Sequence, residues 1–220
     1  MQIETGGGPI AGDLVLPEQP LGVVLFAHGS GSSRLSPRNR AVAESLNARR
    51  IGTLLIDLLT SNEERADLAT AEFRFDIELL RIRLLLATDW LQRHEATREL
   101  PIAYFGASTG AAAALEAAAQ RPEIAAVVCR GGRPDLARNS LKFVQAPTLL
   151  IVGDLDYPVI PMNRTALEQL ERAPEKRLAL VTDATHLFEE PGALEEVARL
   201  SGEWFEHCFA TAQRSPRTPK

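Results

Sequence analysis

The chain has 220 residues, which is long enough for one α/β domain and rather short for two, and its 45% of hydrophobic and 24% of charged residues are ordinary for a globular protein. A net charge of −5 does not favour nucleic acid or an anionic membrane surface as a partner, and no apolar run predicts a membrane span. Since the first residues lack the pattern of a secretory signal, we expect a cytoplasmic protein whose Cys129 and Cys208 are reduced thiols.

Short runs rich in Val, Leu and Ile alternate with longer helical patterns, which is typical of a parallel sheet with crossover helices. The apolar residues in these runs are consecutive, as in strands that are covered on both faces. Strands are predicted at residues 23–27, 52–57, 102–105, 125–129, 148–152 and 178–181, after a short antiparallel hairpin at 3–4 and 13–16. Helices are predicted at residues 38–50, 73–94, 109–120, 162–172 and 193–209.

Two segments lack these patterns. Residues 61–70 are polar and are predicted to be a linker, the one candidate for a partial lid. Residues 210–220 are predicted to be a flexible tail, because the chain ends in a polar, basic stretch. The prediction is therefore a single domain over residues 1–209, with a mostly parallel sheet, helices on both faces and little or no cap.

The sequence Gly-Ala-Ser-Thr-Gly at residues 106–110 stands directly after a predicted strand and before an Ala-rich helix. A serine on such a sharp turn projects its hydroxyl above the sheet, and small neighbours two residues away let the turn close. This pattern predicts that Ser108 is a nucleophile. The alternative is that the glycines form a tight turn and that Ser108 caps the helix.

A nucleophilic serine needs an acid and a histidine that follow it in the chain. The predicted strand at 148–152 is followed by Asp154 and Asp156, and the last predicted strand is followed by His186. His186 can accept the Ser108 proton while a carboxylate orients the imidazole. From the residues alone, either Asp154 or Asp156 could be that carboxylate. His186 could alternatively be a loop or helix-cap residue without a catalytic role.

The oxyanion formed during such an attack needs two N–H donors. The glycine- and serine-rich loop at residues 28–33 follows the first central strand, and we predict that its Ser30 N–H acts with the Thr109 N–H. A phosphate loop is the alternative, but no Gly-Lys-Ser or Gly-Lys-Thr follows.

Arg130 and Arg133 stand just after a central strand, at the edge where α/β sheets bind ligands. They are predicted either to hold a substrate carboxylate in a bidentate fork or to pair with Asp135 and acids of neighbouring loops. Cys129 is predicted to pack as a small apolar residue.

Six motifs together resemble the dienelactone-hydrolase-like branch of the α/β hydrolases, over residues 10–209. They are His-Gly-Ser-Gly-Ser-Ser at 28–33, Ser-Pro-Arg-Asn-Arg at 36–40, Gly-Ala-Ser-Thr-Gly at 106–110, Arg-Gly-Gly-Arg-Pro-Asp at 130–135, Gly-Asp-Leu-Asp-Tyr-Pro-Val at 153–159 and Ala-Thr-His-Leu-Phe-Glu-Glu-Pro-Gly at 184–192. Members close to this pattern also occur fused to phosphoribosyltransferase domains. Dienelactone hydrolase itself has a cysteine at the serine position, which points to generic carboxylesterase chemistry here.

The resemblance implies an α/β-hydrolase fold without a large cap and a Ser108, Asp156 and His186 triad. We therefore expect a hydrolase of small, short-acyl and in some cases anionic esters that uses no cofactor and no metal, as a monomer or homodimer. Alternatives on the same triad are an acyltransferase, a thioesterase or a lactonase. A ligand-binding module with a vestigial triad is the alternative from outside the enzymes.

Overall fold

An eight-stranded β-sheet organises the chain, and the computed structural model describes residues 1–214. The strands are β1 (Gln2–Ile3), β2 (Ile10–Val15), β3 (Val23–Ala27), β4 (Gly52–Ile56), β5 (Ile102–Ala107), β6 (Val127–Arg130), β7 (Thr148–Gly153) and β8 (Lys176–Val181). Their order across the sheet is β1-β2-β4-β3-β5-β6-β7-β8. β2 pairs antiparallel with β1 and β4, and the described pairings from β3 to β8 are parallel. The carboxyl ends of β3 to β8 therefore meet at one edge of the sheet.

Helices cover both faces of this sheet. They are α1 (Pro37–Ala48), α2 (Ser61–Thr70), α3 (Ile77–Arg93), α4 (Thr109–Gln120), α5 (Val159–Gln169) and α6 (Ala193–Arg214), with a 3-10 segment at Pro134–Phe143. Val24 and Phe105 belong to the core that α1 and α6 cover, whereas their chain neighbours Leu25 and Tyr104 belong to the core under α3, α4 and α5. Because both faces are buried, the central strands carry consecutive apolar residues.

The predicted fold class is confirmed. Each predicted apolar run forms a strand at or close to its predicted bounds, and the amino-terminal hairpin forms at the sheet edge. Asp76 starts α3 later than predicted, because its side chain accepts a hydrogen bond from the Leu79 N–H at 3.0 Å and caps the helix there.

The prediction of a linker at residues 61–70 is wrong, since this segment is helix α2. Thr60 and Glu63 form a capping box, in which the Glu63 carboxylate accepts from the Thr60 N–H at 2.7 Å and the Thr60 hydroxyl accepts from the Glu63 N–H at 3.3 Å. Glu63 also pairs with Arg83 of α3 at 2.6 Å. Asp67 is the buried residue of α2, so no apolar periodicity marks this helix in the sequence.

The last helix is longer than predicted. α6 continues to Arg214, so residues 210–214, where the flexible tail is predicted to begin, are helical. Buried Phe205 and Phe209 stack at 6.0 Å and anchor the helix to the sheet. The rest of the predicted tail, residues 215–220, lies outside the described residues. Neither α6 nor another helix within residues 1–214 is long and apolar enough to cross a bilayer.

Candidate active site

Ser108 occupies the turn between β5 and α4 in a strained backbone conformation. Its φ of 51° and ψ of −119° lie in a region that residues with a side chain rarely adopt. A Cβ on Gly106 would lie 2.5 Å from the Ala111 Cα, and one on Gly110 would collide with the Ala27 carbonyl oxygen. The turn therefore needs glycine two residues before and two residues after Ser108, and it holds the serine at the carboxyl edge of the sheet.

The structure brings the predicted histidine together with one of the two predicted acids. His186 Nδ1 lies 2.6 Å from Asp156 Oδ2, and the Asp156 side chain is buried. Asp154 is engaged differently: its N–H donates to the Val181 carbonyl, and its Oδ1 is buried without a hydrogen-bond partner in residues 1–214. Asp156 is thus placed to accept the Nδ1 proton of His186 and to leave Nε2 free as a proton acceptor.

His186 packs beside the serine turn. The Ser108 N–H donates to the Arg130 carbonyl at 3.1 Å, and a Cβ on the next residue, Gly131, would lie 3.4 Å from His186 Nδ1. Gly131 has a φ of 51°, a conformation that favours glycine and lets the imidazole lie on its backbone. The Ser108 hydroxyl makes no hydrogen bond within the described part of the chain. Contacts between a serine and its base commonly tighten only when a ligand binds.

The loop after β3 lies against the serine turn. A Cβ on Gly29 would lie 3.1 Å from the Ser108 Cβ, so the loop backbone touches the serine, and Ser30 follows directly. Thr109 is the first residue of α4. Within residues 1–214, neither the Ser30 N–H nor the Thr109 N–H donates a hydrogen bond. Both predicted donors are therefore free and near Ser108, and Thr109 adds the favourable field of a helix N-terminus.

His28 holds this loop in place, a role that the sequence did not predict. Its Nδ1 donates to the Gly29 carbonyl at 2.9 Å, and its Nε2 accepts from the Leu58 N–H at 3.1 Å. Burial lowers the pKa of His28, so the ring stays neutral and Nε2 can act as an acceptor. The position of His28 at the start of the glycine-rich loop was the available signal, but the contact to Leu58 spans 30 residues.

The two predicted substrate-binding arginines differ in their surroundings. Arg133 forms a bidentate pair with Asp135, with distances of 2.9 Å and 2.8 Å, and these hydrogen bonds raise the pKa of Arg133 and lower that of Asp135. Arg130, at the end of β6, is only 8% exposed, and its side chain makes no hydrogen bond or ion pair within residues 1–214. Arg133 is thus engaged by a neighbouring acid, whereas the Arg130 guanidinium has no partner in the described chain.

A cavity of about 70 Å³ lies beside the loop after β3. The loop at residues 28–33 lines part of it, and α2 contributes Glu64, Asp67 and Leu68 to the lining. The segment predicted as a partial lid is therefore a helix that helps to line a small pocket. The remaining apolar lining comes from Leu58, Leu59 and Leu80.

The sheet topology and the strained serine turn are those of an α/β hydrolase. A dienelactone hydrolase of known structure from Anabaena variabilis is 58% identical to this chain and has a TM-score of 0.90, with 94% of this chain and 95% of that chain covered. This chain therefore belongs to the dienelactone hydrolase family, as the motifs predicted.

More distant structures share the fold. Est1E from Butyrivibrio proteoclasticus is 17% identical with a TM-score of 0.79, covering 96% of this chain and 98% of that chain. An esterase from Pyrococcus furiosus is 19% identical with a TM-score of 0.77, covering 94% of this chain and 89% of that chain. No family model matches the sequence.

Two longer relatives come from Mycobacterium tuberculosis, one from each of two strains. Each is 55% identical over 207 residues, which are 93% of this chain and 45% of the relative. Both are named, provisionally, as phosphoribosyl transferases. The chain thus spans about half the length of the curated relatives it matches.

Proposed function

We propose that this chain is a serine-dependent hydrolase of carboxylic esters that works through a covalent acyl-enzyme. Ser108 is the nucleophile, His186 is the general base and acid, and Asp156 orients His186. The observation that carries the proposal is the strained Ser108 turn, which stands at the same sheet edge as the His186–Asp156 pair.

Acylation begins when Ser108 Oγ attacks the ester carbonyl carbon and His186 Nε2 takes the hydroxyl proton. The carbonyl oxygen becomes an oxyanion, which accepts hydrogen bonds from the Ser30 and Thr109 N–H groups. The bond from the carbonyl carbon to the alcohol oxygen then breaks, and His186 gives its proton to that oxygen. Asp156 stabilises the imidazolium while the proton resides on it.

Deacylation repeats these steps with water as the nucleophile. His186 accepts a proton from the water while the water oxygen attacks the acyl carbon. The Ser30 and Thr109 N–H groups donate hydrogen bonds to the second oxyanion. Collapse of this intermediate returns the proton from His186 to Ser108 Oγ and releases the carboxylic acid.

The cavity beside the loop supports a short acyl chain. Its volume of about 70 Å³ equals roughly five water-sized positions, enough for an acyl chain of a few carbon atoms. Its position next to Gly29, which touches Ser108, makes it the natural site for that chain. We therefore propose acetyl to butyryl esters as preferred substrates over octanoyl and longer esters.

The names of the relatives bear on the substrate. The Anabaena protein is named a dienelactone hydrolase, and a lactone is an internal ester to which the same steps apply. The phosphoribosyl transferase name belongs to mycobacterial proteins that are longer than this chain, and the matched residues make up 45% of their length. The Ser108, His186 and Asp156 arrangement favours acyl chemistry over phosphoribosyl transfer for the matched part.

The proposal is tested by replacing Ser108 with alanine. Ser108→Ala should lower kcat for p-nitrophenyl acetate by roughly 10³-fold or more, because the nucleophile is removed while the oxyanion donors stay. Ser140→Ala, a serine in the 3-10 segment, is the matched control and should retain wild-type turnover. If Ser108→Ala kept more than about a tenth of wild-type turnover, Ser108 would not be the nucleophile.

A fluorophosphonate probe separates an enzyme from a binding module with a vestigial triad. We expect the wild-type protein to carry one adduct on the peptide that contains Ser108, and Ser108→Ala to carry none. Absence of both labelling and turnover in the wild type would favour the binding module.

Product analysis with added alcohol, amine or thiol then separates hydrolysis from acyl transfer. A matched panel of an oxygen ester, a thioester and a dienelactone separates the substrate types.

A further inference from the structure

Asn163 of α5 is a fully buried polar side chain that ties this helix to the segment after β6. Its exposed fraction is 0%, although asparagine is mostly found in contact with solvent. Its Nδ2 donates one hydrogen bond to the Gly132 carbonyl at 3.0 Å and one to the Val159 carbonyl at 2.9 Å. Its Oδ1 is buried without a hydrogen-bond partner in residues 1–214. Burial of an unpaired acceptor costs free energy, so stability alone does not account for asparagine at this position.

The segment after β6 holds the backbone of Ser108. We call residues 130–133 the support segment. The Ser108 N–H donates to the Arg130 carbonyl, and the Ser108 carbonyl accepts from the Arg133 N–H, each at 3.1 Å. Both backbone polar groups of the proposed nucleophile are therefore bonded to this one segment.

The support segment also contacts His186. A Cβ on Gly131 would lie 3.1 Å from the His186 carbonyl oxygen and 3.4 Å from the ring atoms Nδ1 and Cε1, so this glycine touches both the backbone and the imidazole. The Gly131 N–H donates to the Ile151 carbonyl of β7 at 2.8 Å. A displacement of the support segment would therefore disturb the serine turn and the imidazole together.

Asn163 connects this segment to the loop of the proposed acid. α5 begins at Val159, whose N–H donates to the Asp156 carbonyl at 3.0 Å. The Asn163 side chain, one helical turn later, bonds both the Val159 carbonyl and the Gly132 carbonyl. One buried amide thus joins the start of α5, which holds the Asp156 backbone, to the support segment, which holds the other two members of the proposed triad.

We infer that Asn163 is a positioning residue that fixes the proposed nucleophile, base and acid relative to one another. It acts through the Gly132 carbonyl, and it is not among the residues that line the cavity beside the loop after β3. The inference rests on the proposed function, because alignment matters only if Ser108 gives its proton to His186. Displacing reacting groups by about 1 Å lowers rates by as much as about 100-fold, so loss of Asn163 should lower kcat while substrate binding persists.

Asn163→Leu tests the inference, because leucine has a similar volume and no donor. We expect kcat for p-nitrophenyl acetate to fall by about 10-fold to 100-fold, and KM to stay within about 2-fold of the wild-type value. Thr97→Val is the control matched for stability. Thr97 is also 0% exposed, and its hydroxyl donates to the Leu91 carbonyl at 2.7 Å, at the amino edge of the sheet. This control should lower the Tm through the loss of a buried hydrogen bond and leave kcat unchanged.

Asn163→Ser separates the two hydrogen bonds of the amide. A serine hydroxyl in a helix can donate to the carbonyl four residues earlier, here that of Val159, but the shorter side chain does not reach Gly132. We expect Asn163→Ser to lose kcat as Asn163→Leu does, although the bond within α5 is kept. Wild-type kcat in Asn163→Ser would overturn the inference, and this variant also keeps the test available if Asn163→Leu does not fold.

The leaving group provides a readout that a merely structural role would not move. An alkoxide needs the proton of His186 when it departs, whereas p-nitrophenolate is stable enough to leave without it. The ratio of kcat/KM for ethyl acetate to that for p-nitrophenyl acetate should therefore fall by about 3-fold to 10-fold in Asn163→Leu and stay at the wild-type value in Thr97→Val. An unchanged ratio would mean that His186 is still aligned and would contradict the inference.

Amide hydrogen exchange tests the physical link without turnover. The Ser108 and Arg133 N–H groups should exchange about 10-fold faster in Asn163→Leu than in Thr97→Val, because the support segment loses its attachment to α5. Equal exchange in the two variants would refute the link, and faster exchange with wild-type kinetics would refute its catalytic consequence. If Ser108→Ala keeps turnover, the proposed function fails, whereas exchange still decides whether Asn163 holds the support segment.

Discussion

Single residues at this site are positioned mainly by backbone geometry. Ser108 has a positive φ because the turn around it closes on glycine, and His186 lies on the backbone of Gly131. His28 adds a side-chain contribution, since it ties the loop after β3 to the N–H that follows β4. A side chain on Gly106 or Gly110 would collide with backbone, whereas at Gly29 the shortest Cβ contact would be 3.1 Å, so a small side chain at Gly29 should affect chemistry more than stability.

The first prediction concerns Gly29. Gly29→Ala should lower kcat for p-nitrophenyl acetate by about 10-fold to 100-fold, because its Cβ would lie 3.1 Å from the Ser108 Cβ and push the Ser30 N–H away from the oxyanion. Gly6→Ala is the control, because a Cβ there meets nothing within 4 Å. Unchanged kinetics in Gly29→Ala would show that the loop after β3 does not supply a donor.

Among the secondary-structure elements, α2 is unusual because polar contacts hold it. Asp67 accepts hydrogen bonds from the N–H groups of Phe73 and Arg74 at 2.8 Å and 2.9 Å, and it pairs with Arg74 Nε at 2.6 Å. Although burial opposes ionisation, these hydrogen bonds lower the pKa of Asp67. The attachment of α2 thus depends on an ionised carboxylate.

The second prediction is a pH-dependent effect at Asp67. A lowered pKa in the folded state stabilises the protein above the ordinary aspartate pKa of about 3.9, and this contribution is lost as the pH falls through the lowered value. Asp67→Asn should therefore lower the Tm at pH 7, and its difference from wild type should shrink below about pH 4. Glu72→Gln, on the segment after α2, is the control; a difference that stayed constant with pH would contradict the prediction.

The third prediction concerns the wall that α2 contributes to the cavity. Leu68 lines the cavity although it is 77% exposed, so Leu68→Ala should extend the pocket toward solvent. We expect the kcat/KM ratio of p-nitrophenyl hexanoate to acetate to rise by about 3-fold to 10-fold. Val15→Ala, an exposed site on β2, controls for general surface effects. No change in the ratio would mean that the acyl chain lies elsewhere.

At the scale of the whole molecule, the sheet separates two apolar cores. Cys129 belongs to the core under α3, α4 and α5, and Cys208 belongs to the core under α1 and α6. Burial raises the pKa of the Cys129 thiol, and it raises that of Cys208 to about 12. Each cysteine therefore reports on one layer of the fold.

The fourth prediction uses these thiols. Neither should react with a disulfide reagent in the native protein at pH 8, because both are protonated and buried, and ester turnover should survive the treatment. In rising urea the two thiols should become reactive at one midpoint if both layers unfold together. Single Cys129→Ala and Cys208→Ala variants assign each signal. Two separate midpoints would show that the layers unfold independently.

Local pattern and chain order were sufficient for much of this protein. Consecutive apolar residues indicated buried parallel strands, and the motif around Ser108, followed by an acid and then by His186, indicated both the fold class and the candidate nucleophile. These properties are visible in the sequence because they depend on neighbours along the chain or on the order of loops that meet at one sheet edge.

Contacts between distant segments required the folded structure. Asp154 and Asp156 share one loop, and although the family resemblance implied Asp156, the contact that distinguishes the two aspartates physically is the approach of His186. The apolar pattern could not indicate α2, because polar contacts hold it. Arg130 and Arg133 look equivalent along the chain. In the structure, however, Arg133 is paired with Asp135, whereas the Arg130 side chain is buried without a partner in residues 1–214. Burial and pairing arise when elements pack together, so a one-dimensional pattern does not carry them.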